Sequence, residues 1–289
     1  MLVMPEAIPQ TPPMVSIGVP IFNEAAHLAM TLDSLLAQDY PHIEIVICDN
    51  ASTDATPDIC IRAASRDPRV RVLRSAENLG ATANFQRCLD EAHGVFFMWA
   101  GGHDLWSSNY VSQCIAALDA HPTAVVAVPE SIWIDENGQA YGSRASILDT
   151  RNMAPLARLL TLLWANMHPI YGLIRIDKLR ACGPLPNYPG ADLVLLARLI
   201  LEGDFVPAPA ALWSRRQTRT QENYRDRQRR YASSQVKIHG GRLPLLNLIH
   251  KLWGVAWSSS LPLGDKLAFT LAFSGSLPAR YLIARRRVI

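Results

Sequence analysis

Six polar residues, Asn23, Glu24, Asp49, Asn50, Ser52 and Asp54, follow directly on two apolar runs at 15–20 and 43–48. A carboxylate placed where a strand ends can accept hydrogen bonds from ribose hydroxyls or from the imide of a base. These types at this spacing therefore point to a small-molecule site, and to a nucleotide as its ligand. Ser52 and Asp54 read instead as caps for the next helix, whereas Asp49 reads as a ligand contact.

The elements that would bring these residues together are legible from periodicity. Val15–Pro20 is a short apolar run, and Asn23-Glu24 opens a stretch with Leu28, Leu32, Leu35 and Leu36 at helical spacing. Ile43–Cys48 reads as a buried strand. Two parallel strands joined by a helix put both C-terminal turns on one sheet edge, where open α/β sheets bind ligands. Further strands are expected at 70–73, 95–99, 124–129 and 170–176, with helices at 80–92, 109–120, 156–164 and 193–201. Glu136-Asn137-Gly138 reads as a hairpin turn. The alternation implies a mostly parallel sheet covered by helices. The first strand is followed by PIFNEA rather than by a glycine-rich turn, which argues against a dehydrogenase or methyltransferase.

The segments VSIGVPIFNEAAHLAMTLDSLLAQDYPHIEIVICDNASTDAT and ENLGATANFQRCLDEAHGVFFMWAGGHDLW resemble family 2 inverting glycosyltransferases. The resemblance covers roughly residues 14 to 217. It implies a GT-A-type α/β fold, a nucleotide-diphospho-sugar transferase sheet flanked by helices. It also implies a nucleoside-diphosphate sugar donor, with Asp49 on the nucleoside and Pro20, Phe22, Asn23 and Glu24 packed around the base. Asn78 and Gly80 match a segment beside nucleotide and sugar, although a plain loop before a helix accounts for each equally well. Where that family carries an acidic metal-binding turn, this chain has Gly101-Gly102-His103-Asp104. His103 and Asp104 are the expected ligands of a divalent cation, Mn²⁺ or Mg²⁺, with imidazole favouring the former. A hydrogen-bonding surface histidine is the competing reading.

Asp192, after Gly190-Ala191 and before an apolar helix, matches the family's catalytic base, and an N-cap is the alternative. Arg215, Arg216, Arg219, Arg225, Arg227, Arg229 and Arg230 crowd one polar segment. Charge runs are usually solvated, but guanidinium groups clamp phosphates, and Arg215 or Arg216 is the first candidate. His168 and Tyr171 serve either an acceptor pocket or the core. A non-catalytic nucleotide-binding or regulatory member with a degenerate metal turn is the alternative function.

The chain of 289 residues is 49% hydrophobic and 18% charged, enough for a sizeable core. Its formal net charge of +3 gives no reason to expect nucleic acid. Five cysteines without C-x-x-C spacing suit a reducing compartment, hence the cytoplasm. Residues 1–13 read as an extended leader without signal-peptide features, 14–235 as the transferase domain, and 236–289 as a helical appendage. That appendage ends in YLIARRRVI, so it either meets an anionic membrane surface, such as the cytoplasmic face of an inner membrane, or packs on the domain or on a second copy. The resemblance implies a glycan or lipid-linked acceptor.

Overall fold

In the computed structural model, residues 12–145, 147–165, 168–188, 190–217 and 244–285 are described. Seven elements open the chain: β1 (Val15–Ile21), α1 (Leu28–Leu36), β2 (Ile43–Asp49), α2 (Thr56–Arg66), β3 (Val70–Arg74), α3 (Ala81–Asp90) and β4 (Phe96–Trp99). Next come β5 (Leu105–Trp106), α4 (Tyr110–Asp119), β6 (Ala124–Ile134), β7 (Ala140–Tyr141) and α5 (Pro155–Trp164). A 3₁₀ turn at His168–Tyr171 leads to β8 (Leu173–Arg175), α6 (Ile176–Ala181), α7 (Ala191–Glu202) and β9 (Asp204–Arg216). Helices α8 (Pro244–Ser258) and α9 (Leu263–Arg285) follow.

The strands form one sheet in the order β3-β2-β1-β4-β8-β6-β9-β5, with β7 paired to β6. β3, β2, β1 and β4 are parallel, as the alternating pattern implies. The other half is mixed: β6 and β9 run parallel, as expected, but two short strands do not. β8 is antiparallel to both β4 and β6, and β5 is antiparallel to β9. The run expected as a strand at 170–176 becomes a 3₁₀ turn, three strand residues and the start of α6. A segment that short has too few residues for its direction to be read from periodicity.

The alternation of β2 shows why the sheet is covered on both faces. Ile43, Ile45 and Ile47 pack with α1, α2 and α4, whereas Val46 and Cys48 pack with α3, α5 and α7. Both faces are apolar, as parallel strands buried between helices require. Helices α8 and α9 extend the second of these cores through Leu252, Val255, Phe269 and Phe273. The expected domain boundary near Gln235 and most of the expected leader lie outside the described residues. All five cysteines are free and buried.

Candidate active site

The turns after β1 and β2 are laced together. Ser52 Oγ accepts the Asn23 N–H at 2.9 Å, Asn23 Oδ1 accepts the Thr53 N–H at 2.9 Å, and Asp54 Oδ2 accepts the Ala25 N–H at 3.1 Å. Ser52 therefore braces the neighbouring turn instead of capping α2, whose N-cap, Ala55, has no side chain to cap with. Asp54 Oδ1 reaches Thr56 N–H as well, so it serves both turns. The lacing holds Asn23 and Ala51 at φ 56° and 62°, a left-handed conformation that L-residues adopt at a cost. It also explains why α1 begins at Leu28 rather than at Asn23-Glu24.

These turns form one wall of a cavity of about 680 Å³. Pro20, Phe22, Glu24, Asn50 and Asn78 line it at the strand ends, and His103 stands beside them. Trp99, Tyr171, Tyr188 and Trp213 supply aromatic surface, and Asp192 and Arg215 complete the polar lining. The sequence-derived candidates thus separate into two sets. Asn23, Asp49, Gly80, Asp104 and Arg216 do not line the cavity.

Asp49 is buried behind Asn50. Its Oδ1 accepts the Ser52 N–H at 3.0 Å, and Arg74 Nε stands 3.3 Å from Oδ2. That ion pair lacks hydrogen-bond geometry, so Oδ2 is buried with no hydrogen-bond partner. Asn50 ties the second turn to the third: its Oδ1 accepts the Leu79 N–H at 2.9 Å and its Nδ2 donates to Asn78 Oδ1 at 2.8 Å. Gly80 precedes α3 with φ 85° and ψ 162°, a region open essentially to glycine alone. Asn84, given no role by sequence reasoning, lines the cavity while donating to Ile21 O at 3.3 Å and Cys48 O at 2.8 Å. An amide bridging two strand ends leaves no periodic signature. Its position one turn into a helix hid it.

The turn at 101–104 is tight. A Cβ at Gly102 would lie 2.8 Å from Ile21 Cγ2 and 3.0 Å from Glu24 Cγ, so a side chain there would force the Ile21 and Glu24 side chains to shift. His103 Nδ1 sits 3.1 Å from Glu24 Oε2. Asp104 is turned inward: its Oδ2 accepts Trp213 Nε1–H at 2.9 Å and its Oδ1 accepts the Arg216 N–H at 2.8 Å. Burial lifts its carboxyl above the usual range, against the pull of His103 and of the Arg216 and Trp213 N–H groups. Among the described residues no three His, Cys, Asp or Glu side chains gather as a metal cage. At the cavity wall beside this turn stand His103 and Glu24, one imidazole and one carboxylate. They can fill part of a cation's shell if diphosphate oxygens and water supply the rest.

The two arginines play different parts. Arg216 is 3% exposed. It donates through Nε to His103 O at 2.9 Å and through Nη1 to Asp135 O and Glu136 O, both at 2.7 Å. It pins the 101–104 turn and the β6–β7 hairpin to the end of β9. Arg215 lines the cavity, its guanidinium 4.0 Å from the Trp133 ring centroid and 4.9 Å from that of Trp213. Desolvation lowers its pKa, opposed by Asp104 and Tyr171. Alternation along β9 sends one side chain inward and the next toward the cavity. Arg219, Arg225, Arg227, Arg229 and Arg230 lie outside the described residues.

Asp192 sits in the first turn of α7, whose N-cap is Gly190, so the cap reading does not describe it. Its Oδ1 accepts the adjacent Leu193 N–H at 3.0 Å. The side chain is exposed, but its open surface faces a concavity rather than bulk water. The enclosing wall raises the carboxyl pKa. Gly190 adopts φ 87°, and a Cβ there would lie 2.9 Å from Leu248 of α8. Tyr171 stacks on Trp213 with centroids 4.4 Å apart, so it serves cavity and core together.

The model of glycosyl transferase family 2 matches residues 16–180. A Bacillus subtilis protein named for teichuronic acid biosynthesis, TuaG, is 33% identical over 34% of this chain and 38% of its own length. The glycosyltransferase GlyG of Streptococcus pneumoniae is 31% identical over 34% of this chain and 33% of its own. The matched stretch spans well under half of those relatives. Among solved structures, S. aureus TarS 1–349 in complex with UDP-GlcNAc aligns with a TM-score of 0.64 at 16% identity, covering 88% of this chain and 69% of that one. The mannosyltransferase PcManGT of Pyrobaculum calidifontis, in complex with GDP-Man and Mn²⁺, gives 0.56 at 21% identity over 97% and 81%. These likenesses bear out the expected GT-A fold, and the match over more than half the chain settles the family: this chain belongs to glycosyl transferase family 2.

Proposed function

We propose that this protein moves a glycosyl group from a nucleoside-diphosphate sugar to a hydroxyl of a glycan or lipid-linked acceptor, in surface polysaccharide assembly, with inversion at the anomeric carbon. One observation carries the reading: a single cavity is shared by Asn50 and Asn78 at the strand ends, Arg215 on an aromatic wall and Asp192 on α7. Pro20, Phe22, Glu24 and Asn78 line the nucleotide end, and Asn23 and Gly80 shape the turns behind them. Asp49 lies off the cavity wall behind Asn50, and we assign it to the base or ribose through Oδ2, which has no hydrogen-bond partner although Arg74 Nε stands 3.3 Å away. Asp192 takes the acceptor proton as the acceptor oxygen attacks the anomeric carbon. The bond to the diphosphate breaks with its electron pair, and Arg215 stabilises the departing charge. Arg216 positions the turn that carries His103. His103 and Glu24 would hold a divalent cation, with Asp104 bracing the turn behind them; such an ion would add charge neutralisation at the diphosphate. The names of the relatives and the sugar-nucleotide complexes of the structural neighbours support this reading. We place the enzyme in the cytoplasm, at the inner membrane's cytoplasmic face through its C-terminal helices.

The glycine pair at 101–102, and a metal turn with few free donors, favour one second reading: a non-catalytic nucleotide-binding member. Release of nucleoside diphosphate from a panel of UDP- and GDP-sugars, beside calorimetric donor binding, separates the two. Turnover, with an inverted product anomer by NMR, supports transfer. Tight donor binding with no turnover, given lipid-linked and glycan acceptors, supports the second reading. Turnover that survives excess chelator removes the cation.

A further inference from the structure

Helix α9 has two unlike sides. Phe269 and Phe273 are buried against the core. Opposite them, Leu263, Leu267 and Leu271 are 64%, 50% and 79% exposed, with Gly264, Ala268 and Ala272 exposed between them. Leucines four residues apart form one stripe. No charged residue of 263–274 is exposed, since Asp265 and Lys266 are half-buried at its flank. Three exposed leucines in a row are an unusual way to face water.

Charge indicates what covers the stripe. Residues 244–289 contain six Lys and Arg against one acid, Asp265, a net +5. Subtracting these from 28 and 25 leaves 22 bases and 24 acids, a net of −2, for residues 1–243. A second copy would bring its own +5 against this one. An anionic bilayer would attract it. Lys251 and His250 are exposed on α8, and Trp253, partly exposed, donates through Nε1 to Thr270 Oγ1 at 3.0 Å. Tryptophan beside basic residues suits the headgroup layer. Among the described residues no helix is long and apolar enough to cross a membrane, so the attachment is in-plane.

We propose that the Leu263–Leu267–Leu271 face of α9 seats on an anionic phospholipid surface, drawn there by the net positive charge of residues 244–289. This rests on the membrane-face placement above, and adds which surface is used and which lipid charge. The seat is coupled to the cavity. Leu248 of α8 packs where a Cβ on Gly190 would sit, and Lys251 Nζ lies 5.9 Å from the Tyr188 ring centroid. Tyr188 and Asp192 share the cavity wall, so α8 packs directly behind that wall.

The test is vesicle co-sedimentation of the full chain, using phosphatidylcholine alone or mixed with phosphatidylglycerol. Binding should need the anionic lipid and weaken as salt rises. The doubly substituted Leu267→Glu/Leu271→Glu protein should lose at least about tenfold in partitioning, with donor affinity unchanged by calorimetry. Both leucines are exposed, so the fold should tolerate the change. Equal binding by that variant would move the attachment elsewhere and overturn this surface. No vesicle binding by the wild type, with a dimer that the variant dissolves, would assign the face to a second copy and overturn it too. Loss of donor binding by the wild type would strike the glycosyl-transfer reading alone.

Discussion

The two ends of the same parallel strands are built on opposite principles. At the N-terminal end Glu44 sits buried among donors. Ser16 Oγ reaches it at 2.5 Å, His93 N–H at 2.7 Å and Arg71 Nη1 at 3.0 Å, while Arg71 Nη2 also pairs with Glu91 at 3.2 Å. At the C-terminal end Asp49 Oδ2, Asn84 Oδ1 and Arg216 Nη2 are buried without a hydrogen-bond partner, and Asn23 and Ala51 are strained. An unmet buried polar group costs about 1–3 kcal/mol. One end of the sheet has been closed for stability, and the other tolerates expense where a ligand would sit. Trp106 Nε1 and Arg158 Nε are unmet as well, so unsatisfied polarity is frequent at the C-terminal edge without by itself marking the site.

The sharpest way to test that contrast is Asp192→Asn. If the residue is the base, turnover should fall by about two to four orders of magnitude with donor affinity and melting temperature near wild type. Normal turnover would remove it from the chemistry. Glu44→Ala should do the reverse. Removing one partner of a buried charge pair should cost about 3–5 kcal/mol in urea unfolding while activity per folded molecule persists. Loss of activity without loss of stability would dissolve the distinction between the two ends.

Asp49→Ala should weaken donor binding by about 1.5–3 kcal/mol, read by calorimetry on protein shown to be folded. Gly190→Ala should be milder, destabilising by about 1–3 kcal/mol through its positive φ and its clash with Leu248. Hydrogen exchange in α8 would report that loss of seating.

The carboxylates also part company with pH. Desolvation would raise Glu44, but the hydrogen bonds from Ser16, His93 and Arg71 outweigh it and hold its pKa below the ordinary 4.5. Its stabilisation is therefore complete above that value and lost as pH falls beneath it. Asp192 is raised above 3.8 by its enclosing wall. It must be ionised to act, so activity should fail on acidification through its raised pKa, whereas the Glu44 pKa is shifted the other way. Activity that does not fall on acidification would contradict the assignment.

Much of this was legible in the residues because it depended on local periodicity. The runs at 15–20 and 43–48 could be read as buried strands, and the polar residues after them had to share an edge once a helix joined those strands. Helices at 110–119, 155–164 and 191–202 lie where their apolar spacing put them, to within a few residues. What escaped was set by partners distant in sequence. Ser52 looked like a cap because helix starts favour serine; its hydroxyl braces Asn23, 29 residues away. Arg215 and Arg216 were indistinguishable as neighbours in a basic run, and strand pleating sends one to the cavity and buries the other. His103 and Asp104 looked like two ligands of one turn, yet Trp213 and the Arg216 backbone hold the Asp104 carboxylate inward.

The sequence by itself determined the parallel βαβ frame, the edge on which the site lies and the family to which the chain belongs, because each follows from patterns within a few dozen residues. Tertiary structure alone decided which polar groups face the cavity. That outcome depends on how β9 threads past the 101–104 turn and how α8 closes on Gly190, contacts that join residues roughly 60 to 110 positions apart. A hydrogen bond or a packing contact over that separation leaves no periodic trace in the chain, and only the folded backbone brings its two halves together.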